Sequence, residues 1–422
     1  MLQALKRSFS TMAVLALTAA GLTQAATTGA QAQVPAQVPV QALAADVRSP
    51  DDTARYLGGL KPSAGSREAA FASDPAWLQH ANAFDQAFGR FERAQLARIR
   101  SWRQQNLTSH RPTLLYFFSG PDFLYADAFF PDAQTYVLSG LEPIGPVPQI
   151  TAANRGALPA LRASLSSVLN LSFFRTREMR LRLGGGQFAG TLPLLYIFLA
   201  RAGKTVQSTS LIRLDADGIA GPAEGVAVRG EVNGVKIVFT DALPAAGAPS
   251  AVQPATSGAT AAEPAPGAAT VDGRASVAPA EPSAAATRTL YYFQGDVSNA
   301  GPGFEALAAF CRALGPADGF VKSASYLMHS GTFSKVRDFL VAQTELMLED
   351  DSGIPVQFFT PSEWALSPYG RYLGPIALFP GRRQRQLDEL YARGPQRPIE
   401  FGIGYRYRQN ESNLLLAVKR PR

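Results

Sequence analysis

Apolar and polar positions along this chain follow two periods, and each predicts its own elements. From Pro75 to Gln105, Trp77, Ala81, Phe84, Phe88, Phe91, Leu96 and Ile99 recur at helical spacing, which predicts a long amphipathic helix. Residues 157–175, 190–202, 303–314, 333–348 and 382–393 carry similar stripes. Continuous apolar and aromatic runs at Thr113–Phe118 and Thr289–Phe293 predict buried strands, and Tyr136–Leu141 predicts another. Thr205–Leu214 alternates as a strand does. Asn233-Gly234, at the centre of Val226–Phe239, predicts a hairpin turn. The C-terminal stretch predicts two strands joined by a turn at Asn410–Asn413.

Strands and helices thus alternate, with some hairpins. The expected fold is α/β or α+β, a mixed central sheet flanked by helices. Residues 243–287 break the pattern. They are almost entirely Ala, Pro, Gly, Ser, Thr and Val, with no aromatic residue, so they read as a disordered Ala/Pro-rich linker or insertion. The mixed α/β halves are then 67–242 and 288–422. The echo of LLYFFSGPD (114–122) in TLYYFQGD (289–296) is compatible with one domain or two. If both strands share a sheet, Asp122 and Asp296 fall at strand carboxyl ends, where open α/β sheets bind ligands.

The N-terminus has a different signature. Lys6 and Arg7 precede the apolar run Met12–Leu22, and Ala30-Gln31-Ala32 offers a small-residue cleavage site, with Ala25 as a second. This predicts a signal peptide over 1–32 and export to the periplasm or beyond. The apolar run is shorter than the roughly 20 residues that span a bilayer, so no transmembrane segment is expected after cleavage. Residues 33–66, rich in Ala, Gln, Val and Pro, read as a disordered leader.

Composition narrows the chemistry. The formal charge is +7 without a basic block interleaved with aromatics, so nucleic acid is not an expected partner. The single cysteine, Cys311, excludes an internal disulfide and reads as a small buried hydrophobe. The three histidines (His80, His110 and His329) exclude a His-rich zinc site, and no metal site or cofactor is indicated. Ala202-Gly203-Lys204-Thr205 closes a helix where a phosphate loop would open one. Asp215-Ala216-Asp217-Gly218 reads as a turn because Ile219 cannot serve a calcium loop. Gly184-Gly185-Gly186 reads as a plain loop that could also cradle an anion.

Two regions remain. FFSGPDFLYADAFFPDA sets Asp122, Asp127 and Asp132 among aromatic residues including Tyr125, a composition suited to a glycan or to paired-carboxylate hydrolysis. Its bland alternative is a strand end with turn-forming Asp and a Phe-rich core. LMLEDDSGIP (346–355) places Glu349, Asp350 and Asp351 at the expected end of the helix 333–348. Acids there oppose the helix dipole by roughly 0.3–1 kcal/mol each when exposed. A compensating cation is one reading, with Lys322 the first candidate and Arg337, Arg371, a metal or a cationic substrate group behind it; the other is a solvated acidic turn or a structural Arg pair. His329 is an outside candidate base.

FFSGPDFLYADAFFPDA, LSGLEPIG, KSASYLMH, EDDSGIP and YGRYLGPIALF together resemble segments of a group of uncharacterised exported bacterial proteins. The resemblance spans about 110–420 outside the Ala/Pro-rich segment. It implies a secreted or periplasmic protein and no particular chemistry. Some similar chains look like lipoproteins, and this one lacks the lipobox cysteine.

Three functional readings follow. The first is an exported hydrolase using Asp122, Asp350 and Asp351, with Lys322 or Arg371 as electrostatic partner. The second is a non-catalytic module binding a small molecule or glycan through Asp127, Asp132, Tyr125 and Asp296. The third is a structural envelope-associated protein. No protein partner is indicated.

Overall fold

A computed structural model describes residues 49–107, 111–171, 188–242, 286–395, 397–408 and 410–421. Residues 1–32, expected to be a signal segment, Gly184–Gly186, His110 and nearly all of 243–287 lie outside the described residues.

The fold is α/β. Ten strands form one mixed sheet in the order β4-β3-β5-β6-β2-β1-β7-β8-β10-β9. The five central strands are parallel: β6 (Thr287–Gln294), β2 (Thr135–Gly140), β1 (Thr113–Tyr116), β7 (Ala317–Val321) and β8 (Thr344–Glu349). Antiparallel strands extend both sides, β5 (Val232–Asp241), β3 (Lys204–Leu214) and β4 (Ala220–Pro222) on one and β10 (Asn413–Lys419) and β9 (Trp364–Gly370) on the other. Strands from either side of 243–285 therefore pair directly.

Side-chain alternation divides the core between the two sheet faces. Leu114, Tyr116, Leu138, Tyr292, Phe320 and Leu348 pack with α1 (Pro50–Leu57), α2 (Pro75–Phe91), α3 (Ala97–Asn106), α4 (Phe123–Phe129), α5 (Leu158–Leu171) and α6 (Leu192–Arg201). Leu115, Phe117, Val137, Phe293 and Met347 pack with α7 (Phe304–Ala313), α8 (Ser334–Gln343) and α9 (Arg385–Arg393). Helix α6, LPLLYIFLAR, is buried along Leu192–Ala200, as a helix apolar on all sides must be.

Several sequence expectations need correction. The helix expected over 333–348 ends at Gln343, and Thr344–Glu349 is strand β8. Leu346, Met347 and Leu348 form the continuous apolar run of a strand covered on both faces, and such a run mimics a helical stripe over one turn. Asn233-Gly234 is no hairpin turn and lies inside β5. Asn233 accepts a bond from Arg213 Nε at 3.1 Å, and a Cβ on Gly234 would lie 2.6 Å from the Phe293 ring. Packing thus accounts for that glycine. The leader expected to be disordered contains α1, with Ser49 as cap, Pro50 in the first turn, and Ala54, Tyr56 and Leu57 fully buried. At the C-terminus only Asn413–Lys419 is a strand, and it pairs with β8 and β9.

Candidate functional site

The chain after β1 continues to β2 on one side, and the chain after β7 continues to β8 on the other. Between β1 and β7 the connections diverge, and a crevice opens beyond the strand carboxyl ends. A cavity of about 170 Å³ lies there. It is walled by the segments following β1 (Phe118–Asp122), β6 (Gly295–Val297) and β7 (Lys322–Ser325) and by the carboxyl end of β2 with the two residues after it (Ser139–Glu142), with Phe333 and Tyr405 completing it.

At its base Lys322 Nζ pairs with Asp122 Oδ2 at 2.8 Å, both side chains 2% exposed. Tyr116 Oη donates to the same oxygen at 2.8 Å, and Tyr125 N–H reaches Asp122 Oδ1 at 3.4 Å. Asp122 also caps α4. The Lys322 ammonium sits 4.0 Å from the centroid of the Tyr125 ring, which adds a cation–π contact. Burial, and then the Asp122 charge, push the Tyr116 phenol well above its ordinary pKa, so it serves as a neutral donor. Both Asp122 oxygens therefore have partners.

Lys322 thus pairs with Asp122, and Arg406 is the cation whose charge acts on Asp351. The 349–351 acids end a strand, so no helix dipole opposes them, and they accept bonds from neutral donors. Glu349 takes Ile354 N–H at 2.7 Å. Asp350 takes Ser323 N–H at 3.0 Å and the N–H and hydroxyl of Ser352. Asp351 takes the Tyr326 hydroxyl at 2.6 Å and the Asn413 amide at 3.0 Å. Burial raises all three carboxyl pKa values, Asp350 to about 7 with the Asp351 charge as second cause.

The acids hold the cavity's wall. Ser323, Ser325 and Tyr326 have φ of 53°, 55° and 54°, a left-handed conformation costly for residues other than glycine. Asp350 secures Ser323 N–H, and Ser352 Oγ secures Ala324 N–H at 2.8 Å. Tyr405 Oη receives Ser325 N–H at 3.1 Å and donates to Ser323 O at 2.8 Å. Phe118, across the cavity, is also left-handed, with φ 61°. Such strain persists only where surrounding bonds over-determine it, and it concentrates at functional sites.

Two residues lining the cavity, Ser139 and Ser323, have buried hydroxyls without a hydrogen-bond partner among the described residues. Ser139 is 1% exposed.

Of the residues singled out by sequence, Asp122, Lys322 and Asp296 line the cavity, with Asp296 exposed at its rim. Tyr125 supports Lys322 from beneath, and Asp350 supports the wall through Ser323. Asp351 points to Tyr326 and Asn413. His329 lies beside Tyr326 and does not line the cavity; burial lowers its pKa to about 4, so it is neutral at pH 7. Asp127 turns away to Lys204 at 2.7 Å, Asp132 pairs with Arg103, and Arg371 is exposed. Arg337, offered as a counter-charge, lies over the Phe358 ring and bonds Asp338. Sequence reasoning missed Ser139, Glu142, Ser323 and Tyr405. Ser139 lies at the carboxyl end of β2 and Glu142 just beyond it, and their likeness in position to Asp122 and Asp296 was the available signal.

Cys311 is fully buried, and burial pushes its thiol pKa up. Among the described residues no group of three or more His, Cys, Asp or Glu is placed to hold a metal ion. Among them too, no helix is long and apolar enough to cross a membrane. Comparison with protein-family models finds no match, and comparisons with curated proteins and with solved structures find no significant match.

Proposed function

We propose that this protein is an exported binding module for a small hydroxyl-rich ligand, such as a glycan fragment, held in the cavity between β1 and β7. One observation carries the reading: the buried hydroxyls of Ser139 and Ser323, two residues that line the cavity, lack partners among the described residues. A buried polar group left unsatisfied costs about 1–3 kcal/mol, which a ligand hydroxyl would recover. The strained 323–326 segment and the aromatic side chains of Phe118 and Phe333 suit a pre-formed pocket with a few fixed polar groups. Export is supported by the N-terminal signal pattern and by the resemblance to exported bacterial proteins.

Saturation-transfer NMR with a panel of monosaccharides tests the reading. At least one sugar gives signal with wild-type protein and loses it with Ser139→Val. A panel silent with folded protein would sink it.

A second reading, a hydrolase acting through carboxylates on an envelope or extracellular substrate, draws on Glu142 and Asp296 facing the same cavity. Asp122 suits it poorly as a base because both its oxygens are engaged. Turnover of aryl glycosides that disappears in Asp296→Asn would favour this second reading.

A further inference from the structure

The cavity's charge is unbalanced. Four ionisable side chains other than tyrosine line it: Asp122, Glu142, Asp296 and Lys322. Lys322 is matched by Asp122 at 2.8 Å, which leaves two carboxylates. Glu142 is only 5% exposed. The hydroxyl of Tyr292 donates to its backbone carbonyl at 2.9 Å and lies within hydrogen-bonding reach of its carboxylate. Among the described residues no lysine or arginine forms an ion pair with Glu142. Desolvation costs a buried carboxylate several kcal/mol, which a cation offsets more fully than the neutral donors that hold Asp350 and Asp351. Close packing also holds Glu142 in place, since a Cβ on Gly140 would lie 2.5 Å from Glu142 Oε2. Ser139 Oγ has no hydrogen-bond partner among the described residues.

We infer that the ligand carries a positive group, an ammonium or similar organic cation, seated between Glu142 and Asp296 while its hydroxyls meet Ser139. This rests on the binding reading above and adds the ligand's charge class. Glu142 supplies the desolvated acceptor, and Asp296 at the rim draws the cation inward. Lys322 takes no part in holding the cation because Asp122 neutralises it.

The experiment compares three sugars of one ring shape and different charge. Glucosamine, glucose and glucuronate are titrated calorimetrically into the full chain at mildly acidic pH, where the amine is protonated and the uronate ionised. Glucosamine is expected to bind about tenfold tighter than glucose, and glucuronate weakest, as complementary and like charges require. Glu142→Gln should bring glucosamine to within about twofold of glucose. Asp296→Asn, at the exposed rim, should reduce the preference only in part, and serves if the Glu142 variant misfolds. Glucose or glucuronate binding as tightly as glucosamine would overturn the charge assignment and leave the binding reading standing. Binding of none of the three overturns both.

Discussion

Lys322 and Asp122 meet at 2.8 Å across the boundary where the sheet's connections diverge, the lysine leaving β7 and the aspartate following β1. Each is buried, so the pair ties the two halves of the sheet at the floor of the cavity. Removing one partner strands a buried charge. Asp122→Asn and Lys322→Met are each expected to lower unfolding free energy by about 3–5 kcal/mol, and the double variant to recover part of that. Urea denaturation of the four proteins gives the coupling. Additive losses would show that the pair is not the tie described.

Ser139 offers a prediction of opposite sign. Its buried hydroxyl has no partner, so Ser139→Ala should stabilise the ligand-free protein by about 1 kcal/mol while weakening sugar binding. Thermal unfolding without ligand checks the first half. A destabilised variant would mean that the hydroxyl already bonds within the fold.

Asp350 makes stability depend on pH. Its pKa lies near 7 in the folded protein against an ordinary 3.8, because burial and the neighbouring Asp351 disfavour its charge. Below pH 3.8 both states hold the proton; between 3.8 and 7 only the folded state does. The folded state's advantage is therefore full at low pH and shrinks as pH rises through about 7. Wild-type protein should lose more thermal stability than Asp350→Asn between about pH 4 and pH 7. Equal slopes, or a steeper one in the variant, would contradict the shift.

Gly404 links the acids to the pocket. It has φ +71°, and an added Cβ would lie 2.1 Å from Asp350 Oδ2. Gly404→Ala should push Asp350 off Ser323 N–H, destabilise the protein by about 1–3 kcal/mol, and loosen the 323–326 wall. Faster hydrogen exchange at Ser323 is the specific readout. Unchanged exchange there would show that Asp350 does not hold the wall.

The sequence disclosed the parallel strands that frame the site more readily than the contacts inside it. Thr113–Phe118 and Thr289–Phe293 were legible as continuous apolar runs, and their shared ending placed Asp122 and Asp296 at carboxyl ends before any coordinates. Strand β7, ADGFV, was not legible, because Asp318 and Gly319 carry no strand signal and only its neighbours β1 and β8 make it one. The acids at 349–351 were legible as an anomaly for the wrong reason. With β8 read as helix, they seemed to oppose a dipole and to need a cation. As the end of a buried strand, they need hydrogen-bond donors, which Ser323, Ser352, Tyr326, Ile354 and Asn413 supply. Asn413 is 62 residues from Asp351, and no local pattern reveals such a partner.

Occupancy of the cavity between β1 and β7 by a small polar ligand underlies these predictions. Amide chemical-shift mapping of isotope-labelled protein titrated with glucosamine tests it most directly. Gly120, Gly140 and Gly295 line three of the cavity's walls, and their well-separated glycine signals report on it. Occupancy predicts saturable shifts concentrated at these glycines and at Ser323–Ser325, absent in Ser139→Val. Shifts confined to other surfaces, or none at saturating sugar, would contradict it.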